Sequence, residues 1–331
     1  MKTRYIFSMG KLQKRDSSLL FKNKKEQFYI PIKGIRDIYF LNEVSLNTRL
    51  LNFISKHKIV LHFFNFYGYY SGTYYPKRYL RSGNLTIEQS LAYVNRRLII
   101  AKAIVQGIAN NVYDVIYHYY RHGKSDLKEL LDWLKNEVPN LLDVAKNINQ
   151  IMFIEGAIWS RFYSSFKHFL PEDFLINKRV KRPPDNLMNA LIGFGNSILY
   201  TKTITALYHT QLNQSISFLH EPSEARFSLS LDLSEAFKPI IVFRAIFNLV
   251  NTKQLQVQKH FRDDVNYSLL NDDGKKIFIS ELEKRLNEKF YHPKLKKYVT
   301  YQTAIKYDGY KLIKFIIEDA EFKPFRLKDK V

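Results

Sequence analysis

The chain has 331 residues, 52 Lys/Arg against 31 Asp/Glu for a formal net charge of +21, and no cysteine. The length and the 46% hydrophobic content predict one large or two moderate folded domains, and the missing cysteine excludes disulfides and thiolate metal sites and favours a reducing cytoplasmic location. No apolar run reaches the ~20 residues of a membrane span, MKTRYIFSMGKLQKRD has no signal-peptide core, and the expectation is a soluble intracellular protein.

The charge is uneven: residues 1–85 carry 16 Lys/Arg and 4 Asp/Glu, residues 86–331 carry 36 and 27. A compositional drift would raise acids and bases alike, so the basic excess favours a polyanionic partner, nucleic acid first.

In chain order, the first 80 residues read as β-rich. Runs at 4–9, 18–22, 27–32, 35–40, 58–64 and 68–75 are dense in Ile, Val, Tyr and Phe and bounded by Gly, Asn or Pro. One helix interrupts them: Ser45 is its predicted cap, and Leu46, Leu50, Phe53 and Ile54 its buried stripe. PKRYLRSGN then marks a transition, with 81–85 as linker. From Thr86 the period becomes helical. TIEQ reads as a capping box, and Leu91, Val94, Leu98, Ala101, Val105, Ile108, Val112, Val115 and Tyr119 follow at steps of three and four. A shorter helix before Pro139, a long one over 141–166, another opening after Pro183 and Pro184, and one over 229–250 complete the main pattern. The fold class is therefore α+β, a small β-rich domain over 1–80 followed by a large all-α domain over 86–331.

Four residues stand out chemically. Glu155 interrupts the stripe Ile148, Met152, Trp159, Phe162, Phe166, where a lone carboxylate needs a partner, a metal or water. His220 leaves a short extended stretch. Asp232 and Glu235 share one face of an apolar helix, where two acids repel unless one is protonated or a cation lies between them; they would also suit a helix's first turn. Together the set matches hard-metal donors for Mg²⁺ or Mn²⁺ and metal-assisted attack on a phosphodiester. Arg179, Lys181 and Arg226 are candidate phosphate contacts, or solvated loop charges. Walker A, GxGxxG, HExxH and GxSxG motifs are missing.

Several ordered blocks carry a resemblance. KGIRDIYFLNEVSLNTRLLNFISKHKIVLHFFNFYGYYSGTYYP, IEGAIWSRFY, PPDNLMNALIGFGNSILY, and His220 followed by SLSLDLSEAFKP resemble the CRISPR-associated integrase family, the larger of the two universal spacer-acquisition proteins. The blocks span residues 1–240, and Lys238 stands where the family has Arg. The resemblance implies that Glu155, His220 and Glu235 ligate a divalent metal, Mg²⁺ or Mn²⁺, with Asp232 orienting water or joining the ligation. It implies a metal-dependent DNA endonuclease and integrase acting on double-stranded and branched DNA. It also implies a homodimer formed through the β-rich domain, joined to a small ferredoxin-like partner in a heterohexamer. A catalytically silent DNA-binding scaffold and a stand-alone repair nuclease are the alternatives.

Overall fold

The computed structural model describes residues 2–65, 67–76, 82–176, 178–181, 183–222, 227–262, 267–292 and 295–327. They divide into two compact units, Met1–Leu80 and Arg81–Val331. The first is β-rich and the second predominantly helical.

In the first unit the strands are β1 (Lys2–Ile6), β2 (Gly10–Arg15), β3 (Ser18–Lys22), β4 (Gln27–Pro31), β5 (Ile35–Phe40), β6 (Val44–Ser45), β7 (Val60–Phe64) and β8 (Tyr70–Tyr74), with helix α1 (Thr48–Lys56) before β7. They form two four-stranded sheets, ordered β1-β5-β7-β8 and β4-β3-β2-β6. In the first, β5 pairs parallel with β1 and with β7, while β8 returns antiparallel. Alternation along β2 and β3 sends Leu12, Leu19 and Phe21 into a core shared with Ile38, Phe40 and Leu61. Leu50 and Ile54 bury the inner face of α1 there, with Leu46 and Phe53 packed at its margin. The cap is Asn47, whose side chain accepts the Leu50 N–H, rather than Ser45. Strand β2, with one apolar residue in GKLQKR, lies between the expected strands.

The second unit opens with α2 (Gly83–Arg121), 39 residues and about 58 Å long. It starts inside the expected linker. Ser82 is its cap, accepting the Leu85 N–H at 3.2 Å, so Thr86 and Gln89 form no capping box. Next come α3 (Lys128–Asp132), α4 (Val138–Val144) and α5 (Ile148–Ser164). Pro139 does not end a helix: a π-turn over Trp133–Glu137 carries the chain into α4, where proline's missing N–H is harmless in the first turn. The helix expected over 141–166 breaks at Ala145, and Asn147 caps α5 by accepting the Gln150 N–H at 3.0 Å.

Helix α6 (Leu187–Tyr208) is buried on nearly every side. Around it lie α7 (Ser228–Glu235), a π-helical turn Lys238–Phe243, α8 (Arg244–Asn251), α9 (Val257–His260), α10 (Asp272–Asn287) and α11 (Tyr301–Glu318). What reads in sequence as one helix over 229–250 is thus α7 and α8 separated at Pro239, where a helical N–H is lost. Gly195 permits this packing: a Cβ there would meet Val242 Cγ1 at 2.6 Å and the Phe278 ring at 3.0 Å. A small antiparallel hairpin, β9 (Lys289–His292) with β10 (Lys297–Thr300), interrupts the helical pattern. Among the described residues no helix is long and apolar enough to cross a membrane.

Candidate active site

The site is assembled on the loop before α7. Gln89 of α2 is fully buried and donates from Nε2 to the Asn213 and Ile216 carbonyls at 2.8 and 3.0 Å while accepting the Asn213 N–H at 3.0 Å. Two turns along α2, Arg97 donates to the Phe218 carbonyl at 2.9 Å and pairs with Glu221 at 2.6 Å. Ser217 Oγ donates to the His220 carbonyl at 2.8 Å. The histidine's backbone is held from both sides.

From α7, Asp232 completes the clamp. Fully buried, its Oδ2 accepts the Phe218 and Leu219 N–H groups at 2.7 and 2.9 Å, and its Oδ1 accepts the His220 N–H at 3.1 Å and lies 2.8 Å from His220 Nδ1. Four donors on two oxygens are ample compensation for burying a carboxylate. Asp232 is thereby occupied in positioning the imidazole, and Nε2 is the nitrogen left for chemistry.

One turn further, Glu235 is 2% exposed. Its Oε1 accepts from Lys238 Nζ, and its Oε2 is buried without a hydrogen-bond partner among the described residues. Asn111 of α2 fixes the end of α7 by donating to the Ala236 carbonyl at 2.8 Å, and its other contacts pin the C-terminal segment at Phe325 and Leu327. Across from α7, the α5 stripe carries Glu155, which accepts from Trp159 Nε1 at 2.5 Å. Lys238 Nζ lies 5.9 Å from the centre of the Trp159 ring, joining the two carboxylate neighbourhoods.

The electrostatics tie these side chains together. Burial first, then the charge of Glu235, pushes the Glu155 carboxyl up to about 7 against the opposing pull of Lys238, the Trp159 hydrogen bond and His220. Burial lowers the His220 imidazole, but the hydrogen bond and charge of Asp232 and the charge of Glu235 outweigh it, so the net direction is up. Burial also pushes the Tyr163 phenol up, Arg179 opposing and Glu235 and Glu155 adding to it. The charges of Glu235 and Lys238 therefore reach both Glu155 and His220, and those of Arg179, Glu235 and Glu155 reach Tyr163.

Arg179 is also engaged structurally, donating to the Val180 carbonyl at 2.6 Å and to Asn189 Oδ1 at 2.8 Å. Lys181 is exposed on the same loop. Arg226 lies outside the described residues. Of the acids at 263–264 and 272–273, the first pair also lies outside them, and Asp272 and Asp273 occupy the first turn of α10, where they complement its dipole.

Among the described residues no three His, Asp or Glu side chains stand in a metal-holding arrangement. The donor set nonetheless suits a hard divalent cation. Burial and the charge of Glu235 raise the cost of ionising Glu155, and one buried oxygen, Glu235 Oε2, lacks a partner among the described residues. Lys238 supplies the neutralising positive charge in this arrangement. The sequence reading gave no role to Lys238, Trp159, Gln89, Arg97 or Asn111. For Lys238 the i, i+3 spacing from Glu235 was the available signal; the others act across more than 100 residues of sequence or through a ring N–H, and no local pattern marks them.

A family model described as CRISPR associated protein Cas1 matches residues 4–284. The chain is 43% identical over 321 residues to the CRISPR-associated endonuclease Cas1 of Pyrococcus horikoshii, covering 96% of each. A solved Cas1 structure from Thermotoga maritima superposes with a TM-score of 0.86 at 36% identity, over 98% of this chain and 100% of that one. A casposase bound to integration product shares the fold, with a TM-score of 0.85 at 20% identity over 99% of this chain and 94% of that one.

Proposed function

The chain belongs to the CRISPR-associated Cas1 family, and from that premise we propose that it is a metal-dependent DNA endonuclease and integrase, inserting short DNA into a CRISPR repeat by attack of a 3′ hydroxyl on a phosphodiester. What supports the reading is that the charges of Glu235 and His220 reach Glu155 and the charge of Glu235 reaches His220, from α5, a loop and α7, and that Glu235 Oε2 is buried without a hydrogen-bond partner among the described residues. Glu155, the Nε2 of His220 and Glu235 would hold Mg²⁺ or Mn²⁺. When bound, such an ion neutralises charge building on the attacked phosphate and lowers the pKa of the attacking hydroxyl.

The chain's own residues prepare that event. Asp232 holds the imidazole with Nε2 outward. Gln89 and Arg97 fix the backbone that carries it, so the donor is positioned before any ligand arrives. Lys238 keeps the two glutamates from repelling one another and is a ready counter-charge for a phosphate oxygen. Arg179, close enough to influence Tyr163, with Lys181 on the same loop and Arg226 further along the chain, would hold the DNA backbone.

The reading extends to the assembly. Residues 1–80 would form a dimerisation and DNA-facing domain and residues 86–331 the catalytic domain. The chain would form a homodimer, and homodimers would join a small ferredoxin-like partner in a heterohexamer in the cytoplasm on double-stranded and branched DNA. The basic excess in residues 1–85 suits a role beside duplex DNA.

The test is purified protein with branched DNA and Mn²⁺ or Mg²⁺. Cleavage and strand joining are expected, abolished by a chelator and reduced about 10²-fold or more in Glu155→Ala, His220→Ala and Glu235→Ala. Survival of both activities in His220→Ala and Glu155→Ala would overturn the site. Tight, salt-sensitive DNA binding without turnover in either metal would mark a silent scaffold instead. Full joining without the small partner would mark a stand-alone nuclease.

A further inference from the structure

Glu235 is the last residue of α7, a helix of eight residues. So short a helix does not hold its own end, since isolated helices need about 12–15 residues to be even marginal in water, and Pro239 brings no N–H to extend it. Asp232 ties the helix to the His220 loop three residues before that end. The end itself is held from the last part of the chain.

Phe237, two residues past Glu235, stacks its buried ring on that of Phe325, with centres 5.5 Å apart at 12°. At Gly107 of α2 an added Cβ would lie 2.8 Å from Pro324 Cβ and 3.5 Å from Ala236 Cβ. The long helix, the end of α7 and the C-terminal segment therefore converge where only a hydrogen side chain fits. Asn111, one turn along α2, donates from Nδ2 to the Ala236 and Phe325 carbonyls, each at 2.8 Å, and accepts the Leu327 N–H at 2.8 Å. One buried amide thus joins the end of α7 to residues 322–327.

That segment is itself fastened. It is neither helix nor strand through residue 326, so its backbone groups take side-chain partners. The Phe325 N–H donates to buried Asp308 of α11 at 2.8 Å, and Lys311, which pairs with the same aspartate at 2.8 Å, donates to the Lys323 carbonyl at 3.0 Å. Arg326 forks onto Asp114 of α2 at 3.2 and 3.3 Å. Its position is set by α2 and α11 together.

We infer that residues 322–327 are a strap that positions the active-site glutamate: the Phe325 ring and the amide of Asn111 set where α7 ends, and with it where the Glu235 carboxylate and the Lys238 ammonium stand. Its bearing on catalysis rests on the role proposed above for Glu235; the placement does not. The family model ends at residue 284 and the resembling blocks at 240, so neither assigns this segment a role.

Phe325→Leu in the full chain tests it, because the stacked ring is lost while an apolar side chain stays. Hydrogen exchange is expected to rise at 228–243 ahead of α6 and α10, and Mn²⁺ affinity by calorimetry to fall about tenfold with branched-DNA affinity unchanged. Phe322→Leu is the control on the same strap: its ring lies against Phe315 of α11 at 6.5 Å, and the variant should lose stability without moving either readout. Arg326→Ala loosens the strap at Asp114 through a side chain 34% exposed, and it carries the test if Phe325→Leu does not fold. The strap is refuted if exchange at 228–243 stays at the wild-type level, if exchange rises equally across α6 and α10, or if Phe322→Leu weakens Mn²⁺ binding as much. Should the wild type bind no Mn²⁺, the metal reading fails and the exchange pattern alone decides the strap.

Discussion

His220 Nδ1 lies 2.8 Å from Asp232 Oδ1, and the same oxygen accepts the His220 N–H at 3.1 Å. An ionised carboxylate only accepts, so Nδ1 carries the proton and Nε2 the lone pair. Asp232→Asn puts an amide donor within reach of Nδ1 and favours the opposite tautomer. We expect a loss of about 10²-fold in activity or metal affinity with the fold retained. Nitrogen-resolved NMR of the imidazole would show the switch directly. Asp232→Ala instead strands the Phe218, Leu219 and His220 N–H groups and should destabilise the chain by roughly 3–5 kcal/mol in denaturant melts. A wild-type melt for Asp232→Ala would show that the four contacts hold nothing in place.

Lys238 neutralises Glu235 while both are largely buried, at 14% and 3% side-chain exposure. Truncating one member of such a pair leaves the other an uncompensated buried charge. Lys238→Met should therefore lower the metal-free stability by about 2–4 kcal/mol, and Lys238→Arg should preserve most of it. Millimolar Mg²⁺ or Mn²⁺ should raise the melting temperature of Lys238→Met more than that of the wild type, because the ion then replaces the missing charge. If the two proteins respond equally to metal, Lys238 and the cation do not share a task.

The fold was legible where hydrophobic pattern alone decides structure. Strand β5, IRDIYF, is buried at nearly every position and reads as a strand without help. Strand β2, GKLQKR, offers only Leu12 to the core; its pairing with β3 makes it a strand, and that is a non-local fact. Along α2 the expected stripe holds from Ala101 onward, but Leu91 and Val94 are 50% and 76% exposed. A three–four alternation has a period of 3.5, so a straight helix drifts off it by about 20° per heptad, roughly 80° from Leu91 to Tyr119.

The site was less legible. Glu155, His220 and Glu235 are separated by up to 80 residues, and spacing left each with an ordinary structural explanation. Only the order of the family blocks linked them. The positioning of His220 by Gln89 was masked by a local pattern: TIEQ looks like a capping box, whereas the glutamine reaches across 124 residues to Asn213.

Glu155 gives the site a pH signature. Its carboxyl is raised from 4.5 to about 7, so the folded state holds the proton more tightly than the unfolded chain. The stability this provides is fully present below pH 4.5 and is lost as pH rises through about 7. His220, also raised, acts in the same direction, its contribution present below 6.5 and lost above. Metal-free protein should thus become less stable between pH 5 and 8, by roughly 1–3 kcal/mol from Glu155. Glu155→Gln keeps an acceptor for Trp159 Nε1 and removes the titration, so denaturant melts across this range should show a flatter slope. An unchanged slope would place the titrating group elsewhere.

Gln89 separates positioning from chemistry. Its side chain makes three hydrogen bonds to the backbone at Asn213 and Ile216, all on the loop ahead of His220. Gln89→Leu retains the volume but leaves one backbone N–H and two carbonyls to find other partners, a destabilisation of about 2–4 kcal/mol. The loop is then free to shift, and a displacement near 1 Å at a reacting group is enough for a loss of about 10²-fold. We therefore expect lower turnover with little change in DNA affinity, since no phosphate contact is removed. Hydrogen exchange should localise the loss of protection to 213–220 while the carboxylate helices α5 and α7 stay protected. If exchange rises uniformly across the helical unit, Gln89 supports the whole core rather than the loop, and the positioning role assigned to it is wrong.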